Sequence, residues 1–226
     1  MSYRIRKLAE LVHPGLIPAD IGTDHGLLPI LLVENGKAEK AYACDVAEGP
    51  LSQASANIRS HQLEDRIIPV LSDGFQAVPD DISCAVLAGM GTYTAIHILE
   101  EALPRVKQLR QVIVQVNDDL PLMRKWLDEH GFAILRELTL CDHGHFYTVI
   151  DTCWKPHPHY SERDILCGPM EVILDPEGWL AYACHELDRL AFVIERRGRD
   201  TELERQKELY QSAVDDMKKS RSIGNG

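Results

Sequence analysis

The turn Ala19-Asp20-Ile21-Gly22-Thr23-Asp24-His25-Gly26 hands an apolar strand to an apolar helix, Leu27-Leu28-Pro29-Ile30-Leu31-Leu32, and the same handover recurs down the first 150 residues. Short apolar runs at Gly15–Ile21, Lys40–Cys44, Ile67–Leu71, Cys84–Ala88 and Val112–Val116 alternate with helical spacing at Gly26–Glu34, Leu51–His61, Tyr93–Leu103 and Leu122–His130. Repeated strand–helix steps leave few architectures open. A parallel sheet covered on both faces, with right-handed crossovers, is the one they predict.

After the last of these helices the rhythm changes. Ala133–Leu140 and His145–Cys153 are rich in strand formers and are joined by Cys141-Asp142-His143-Gly144, so an antiparallel hairpin closes one edge of the sheet. Two prolines in Trp154-Lys155-Pro156-His157-Pro158-His159-Tyr160 then break regular structure. Beyond them Leu180, Ala183, Leu187, Leu190 and Ile194 recur at helical steps, as do Leu203, Tyr210, Ala213 and Met217. With Gly198 as a stop and Asp200 as a restart, two antiparallel helices are predicted. The fold class is α/β, a Rossmann-like seven-stranded sheet with a helical, coiled-coil-like C-terminal extension, divided into residues 1–154 and 155–226.

In an open α/β sheet, ligands sit outside the carboxyl ends of the strands. Here those ends carry a consistent chemistry. Glycines Gly22 and Gly26 let backbone approach a ligand, and the helix behind them presents free N–H groups. Asp45 stands 23 residues beyond Gly22, where a carboxylate accepts both ribose hydroxyls of an adenosine. Asp73-Gly74, Ala88-Gly89-Met90-Gly91 and Asn117-Asp118 end the third, fourth and fifth strands. Five polar or glycine-rich ends in register predict a nucleoside-cofactor site.

The choice of cofactor turns on charge. A dinucleotide fingerprint, G-x-G-x-x-G, brings backbone N–H groups to a pyrophosphate, which Asp24 inside the loop would repel. A sulfonium amino acid carries cationic groups and no phosphate, so the acidic loop favours S-adenosylmethionine. On this reading Asp20, Gly22, Asp24 and Gly26 shape its methionine side, His25 either donates to the cofactor or holds the loop at the helix start, Asp45 holds ribose, and Asp73 with Gly74 meets the adenine. Ala88, Gly89, Met90 and Gly91 expose backbone over the same crevice.

The formal net charge of −11, with neither residues 1–150 nor 151–226 basic overall, argues mildly against nucleic acid. Local clusters at Arg4, Arg6 and Lys7 and at Arg196, Arg197 and Arg199 keep a basic face open. The six dispersed cysteines read as reduced thiols in packed positions. His143-x-His145 and His157-x-His159 lack a partner set, so no metal is expected. No apolar run is long enough for a membrane helix and no signal-peptide core stands at the start, which predicts a cytoplasmic protein, with a monomer favoured.

Asp20-Ile21-Gly22-Thr23-Asp24-His25, Gly49-Pro50-Leu51, Ala88-Gly89-Met90-Gly91, Gln115-Val116-Asn117 and Arg124-Lys125-Trp126-Leu127 together resemble the bacterial tRNA (adenine-22-N1)-methyltransferase family. The resemblance extends over nearly the whole chain. It departs from the usual pattern at Thr92, where a further glycine is common, at Val116, where proline is common, and at Asp45, where glutamate is common. It implies a class I methyltransferase domain, S-adenosylmethionine as cofactor, and adenine N1 in tRNA as acceptor. Because N1 has its own lone pair, the site needs alignment more than a strong base. Asn117 and Asp118 are the candidates for stabilising the cationic product, and Tyr93 either stacks on the base or packs on the sheet. The C-terminal helices, with Arg196, Arg197, Arg199, Lys218 and Lys219, are expected to grip tRNA. A methyltransferase with another acceptor, or a catalytically weak module that binds cofactor or RNA, are the alternatives.

Overall fold

The computed structural model describes residues 2–198 and 200–224. The elements run α1 (Tyr3–Leu11), β1 (Pro18–Ile21), α2 (Leu27–Glu34), β2 (Ala41–Asp45), α3 (Glu48–Ser60), β3 (Ile67–Leu71) and β4 (Cys84–Met90). They continue with α4 (Thr92–Glu101), α5 (Leu103–Val106), β5 (Gln111–Val116), α6 (Leu120–Glu129), β6 (Phe132–Asp142) and β7 (His145–Trp154). The C-terminal part contains α7 (Glu162–Cys167), a single 3-10 turn, α8 (Pro176–Arg197) and α9 (Thr201–Gly224).

The seven strands form one sheet in the order β3-β2-β1-β4-β5-β7-β6. β1 to β5 are parallel, and β7 runs antiparallel between β5 and β6. Alternate residues serve opposite faces. Ala19, Ile21, Tyr42, Cys44, Ala85, Leu87, Val112 and Val114 pack against α4 to α6 on one side, while Ala41, Ala43, Cys84, Val86 and Ile113 pack against α1 and α2 on the other. The hairpin turns through His143 and Gly144, both at positive φ, as a two-residue loop that follows the sheet's twist requires.

The strand order reverses between β1 and β4, and that switch point opens the crevice predicted from the sequence. The N-terminal helix α1 was not anticipated. Ser2 caps it by accepting from the Ile5 N–H, and Ile5, Leu8, Ala9 and Leu11 bury its inner face. At its other end the Leu11 carbonyl, an acceptor left over by the helix, receives bonds from Gln111 Nε2 (2.9 Å) and Arg136 Nη2 (2.7 Å). Gln111 and Arg136 are in turn tied to the buried Asp151. Polar side chains from β5, β6 and β7 thereby anchor the start of the chain across the sheet.

The C-terminal helices pack on each other and on the sheet. Their own core contains Trp179, Ala183, Leu190, Tyr210, Ala213 and Met217. Asp175 caps α8, Gly198 ends it, and Asp200 caps α9 by accepting from the Glu202 and Leu203 N–H groups. α7, also unanticipated, opens with a capping box between Ser161 and Asp164. A Cβ on Gly178 would clash with the Thr139 carbonyl oxygen, so the first turn of α8 rests directly on β6 backbone. Among the described residues, no helix is long and apolar enough to cross a membrane.

Candidate functional site

The strand ends are knit to each other by backbone. Gly22 and Thr23 N–H groups both donate to the Cys44 carbonyl (2.9 and 2.8 Å), and the Ser72 N–H donates to the Asp45 carbonyl (2.9 Å). The β1, β2 and β3 ends are therefore held as one rim. Gly22, Gly26, Gly74 and Gly89 all adopt positive φ, the left-handed region that glycine enters without steric cost. At Gly22 there is a second constraint: a Cβ would meet Met90 Cε at 3.3 Å, because the Met90 side chain reaches from β4 across the crevice. Gly26 N-caps α2 in the αL conformation and packs close to Ala54 of α3.

Asp20 is the electrostatic centre. It lies on the α1 side of β1, is 7% exposed, and accepts a 2.6 Å bond from Thr23 Oγ1. Burial drives its pKa up to about 6, the Thr23 bond opposing and the neighbouring Asp24 and Asp45 charges adding to the rise. A small pocket there is lined by Arg4, Asp20, Gly22, Asp24, Leu28 and Ala88. Arg4 comes from α1. Its Nη1 donates to Gln115 Oε1 (2.8 Å), its guanidinium stacks over Tyr147, and a Cβ on Gly89 would lie 3.4 Å from Nη1. A cation and two carboxylates thus face one cavity.

Asp45 ends β2 half-buried, its Oδ1 accepting from the Ala47 N–H (2.8 Å) in a local turn. Asp73 is exposed on the next strand end. His25 is exposed at φ +58; its ring lies 3.3 Å from Asp24 Oδ1, while its carbonyl accepts from Asn57 Nδ2. Those bonds give it a role in holding the loop.

The β4 and β5 ends form the other wall. β4 bulges at Gly89, where its register against β5 jumps between Ala88 and Met90, a device that re-aims backbone next to sites. Asn117 bridges the two ends: its Nδ2 donates to the Gly89 carbonyl (2.7 Å), its N–H to the Met90 carbonyl (2.9 Å), and its Oδ1 accepts from Gln115 Nε2 (3.1 Å). Asp118 Oδ1 accepts from the Thr92 N–H (2.7 Å) and its carbonyl from Thr92 Oγ1 (2.8 Å). Those bonds hold the Asp118 carboxyl below the usual range. Thr92, the residue that departs from the glycine pattern, therefore fastens the two loops together, and Asp118 is committed to capping α4. Tyr93 is 74% exposed, so the packed alternative fails and its ring is free.

Sequence reasoning missed Arg4, which it grouped with Arg6 and Lys7 as a surface cluster. The signal was present: Ser2 followed by Ile5, Leu8, Ala9 and Val12 is a capped amphipathic helix. It also missed a cleft of about 460 Å³ beyond Asn117, between the Val116–Pro121 segment and α8–α9.

Cys44, Cys84 and Cys167 are buried, with thiols pushed up by desolvation, to about 12 for Cys44 and Cys167. Contrary to the packed reading, Cys141 and Cys184 are exposed. His157 and His159 flank Asp128 (3.7 and 3.0 Å), which fastens the linker, and among the described residues no group of three potential ligands could hold a metal. Of the basic residues expected to face RNA, Arg196 stacks on the exposed Phe192. Arg199 and the side chain of Arg197 lie outside the described residues.

The family model for a methyltransferase domain matches residues 1–150. The Bacillus subtilis tRNA (adenine(22)-N(1))-methyltransferase is 31% identical over 151 residues, 66% of this chain, and the chain spans 63% of that relative's length. A Streptococcus pneumoniae protein assigned as a tRNA (m1A22) methyltransferase, solved with S-adenosyl-L-methionine, is 31% identical with a TM-score of 0.86, covering 95% of this chain and 99% of its own. M. capricolum TrmK, solved with S-adenosyl-homocysteine, is 25% identical with a TM-score of 0.84, covering 95% and 98%. The chain belongs to the methyltransferase-domain family, alongside these tRNA (adenine-22-N1)-methyltransferases.

Proposed function

We propose that the protein transfers a methyl group from S-adenosylmethionine to N1 of adenine 22 in tRNA. The observation that carries this reading is the full-length likeness to the Streptococcus pneumoniae protein, C-terminal helices included. Residues 1–154 form the cofactor-binding unit and 155–226 the helical unit in this reading. The setting is a cytoplasmic monomer.

The pocket chemistry fits the cofactor. An amino acid end presents one carboxylate and one ammonium, and Arg4 against Asp20 and Asp24 is the matching arrangement. Asp45 takes the ribose and Asp73, with Gly74, the adenine edge; Ala88 to Gly91 supply backbone beside the reacting centre. S-adenosylmethionine supplies an activated methyl group. Adenine N1 accepts it with its own lone pair, so no side chain of the chain must first remove a proton. Asn117 positions the Gly89 carbonyl, whose oxygen faces the charge that develops on the base. Tyr93, exposed at the start of α4, offers a ring to a base of the tRNA.

Incubation with bulk bacterial tRNA and labelled S-adenosylmethionine, followed by nucleoside analysis, tests the acceptor. N1-methyladenosine is expected at position 22. Folded protein that binds S-adenosylhomocysteine yet makes none would overturn the assignment, and label appearing in protein would point to another acceptor.

Arg4→Ala is expected to weaken S-adenosylhomocysteine binding by about 30-fold, since losing one member of a partly buried charge pair costs about 2 kcal/mol. 5′-Methylthioadenosine lacks the carboxylate, so its affinity should stay unchanged. Calorimetry with both ligands checks this; an equal loss for both would assign Arg4 to the fold alone.

A further inference from the structure

Beyond Asn117, by β5 and β7 along the same carboxyl edge of the sheet, lies the cleft of about 460 Å³. Its floor is Val116 to Pro121 from the β5–α6 connection, with Phe146 and Thr148 of β7. β7 runs antiparallel to β5, with Val114 opposite Ile150, so Thr148 and Phe146 arrive at the carboxyl edge of β5. Its far wall comes from the helical hairpin: Tyr182, Glu186 and Arg189 of α8, and Gln206 and Tyr210 of α9. Neither unit forms this cleft alone.

The lining has the character of a nucleobase pocket. Phe146 meets Tyr182 edge-on (5.8 Å) and lies 5.5 Å from the ring of His185, and Tyr182 meets Tyr210 edge-on (6.5 Å). Aromatic rings of this kind offer stacking surface to an unstacked base. Polar groups are fixed among them. Arg189 Nε donates to Glu186 Oε2 (2.8 Å), and while Glu186 is only 14% exposed, Arg189 is 49% exposed at the mouth. A half-exposed guanidinium anchored by a half-buried carboxylate suits a backbone phosphate.

We propose that this cleft is the acceptor compartment: it receives the extruded adenosine of an RNA, with aromatic side chains of β7 and α8 beside the base and Arg189 on its phosphate. The helical hairpin then completes the acceptor pocket and does not act solely as an RNA-gripping arm. The inference rests on the proposed RNA methylation and adds the location of the base. The cleft shares Asn117 with the Gly89 loop, so a base entering it passes the residue that aims that carbonyl.

Gln206→Trp, on the half-exposed α9 wall, fills the cleft from the surface. The full-length variant should lose at least tenfold in kcat/KM for tRNA and keep S-adenosylhomocysteine affinity within about twofold. In parallel, tRNA carrying 8-azidoadenosine at the acceptor position is irradiated with wild-type protein and S-adenosylhomocysteine. Crosslinks in residues 145–154, 176–197 or 201–210 are expected. Crosslinks confined to α4, with Gln206→Trp fully active, would overturn the compartment and leave RNA methylation standing. Wild-type protein that methylates no tRNA would overturn both.

Discussion

Arg124→Ala is expected to cost about 3–5 kcal/mol of folding free energy, the range for removing one partner of a buried ion pair. Arg124 and Glu137 are each 1% exposed and pair in fork geometry, Nε to Oε1 at 2.8 Å and Nη2 to Oε2 at 2.9 Å. Burial alone would lower the Arg124 pKa, and the ion pair with Glu137 more than offsets it. The remaining Nη1 donates to the carbonyls of Ile165 and Leu166 at the end of α7. One side chain on α6 therefore joins the sheet to the helical unit. Alanine would leave Glu137 charged, buried and facing two unmatched carbonyls. The double variant Arg124→Met, Glu137→Leu removes both charges and should recover much of the loss. Urea unfolding followed by circular dichroism measures both; a single-variant loss below about 1 kcal/mol would mean that water reaches the pair.

Asp20→Asn is expected to stabilise the cofactor-free protein at pH 8 while weakening its hold on the cofactor. The folded-state pKa of Asp20 is raised from 3.8 to about 6 by burial. An acid with a raised pKa favours the folded state below its unfolded value, and that contribution disappears as pH rises through the folded value. The window is pH 4 to 6. Above it the ionised carboxylate costs the fold up to about 3 kcal/mol, at about 1.4 kcal/mol per pKa unit. Asparagine can still accept from Thr23 Oγ1, so it should raise Tm at pH 8 and flatten the pH profile between 4 and 6. The cationic groups of S-adenosylmethionine favour ionised Asp20, so binding near pH 6 should release protons and strengthen as pH rises. Calorimetry in buffers of differing ionisation enthalpy detects that release, and the asparagine variant should lack it, with affinity down about tenfold or more. Unaltered affinity in the variant would remove Asp20 from the cofactor site.

The sheet was legible because each strand carries its own apolar run: Ile67–Leu71 is found with the predicted bounds, and the others shift by a few residues at their ends. Gly198 and Asp200 punctuate the helical hairpin as expected. What escaped were features made by distance in sequence. Arg4 reaches the site only because α1 lies across β5 and β7, and nothing near Arg4 in the chain announces Gln115 as its partner. Asp118 read as a candidate for the reacting centre because it follows Asn117; its actual partner, Thr92, stands 26 residues earlier. The large cleft was invisible for the same reason, since its two walls belong to the β5–α6 connection and to helices that begin at Pro176. Strand ends show themselves locally, whereas shared pockets arise only when the units dock.

The anchoring of α1 has a consequence for synthesis. Lys37 holds the carbonyls at its end locally, but its polar ties to the sheet are Gln111, Gln115, Arg136, Asp142 and Tyr147, all at least a hundred residues further along the chain. The first helix to leave the ribosome can lie on α2 early, but its ties across the sheet wait until the hairpin has emerged. Until then the nascent sheet has its acidic loop without the Arg4 guanidinium, so a partly made chain has no closed berth for an amino acid carboxylate. Capture of the cofactor becomes a mark of a finished domain.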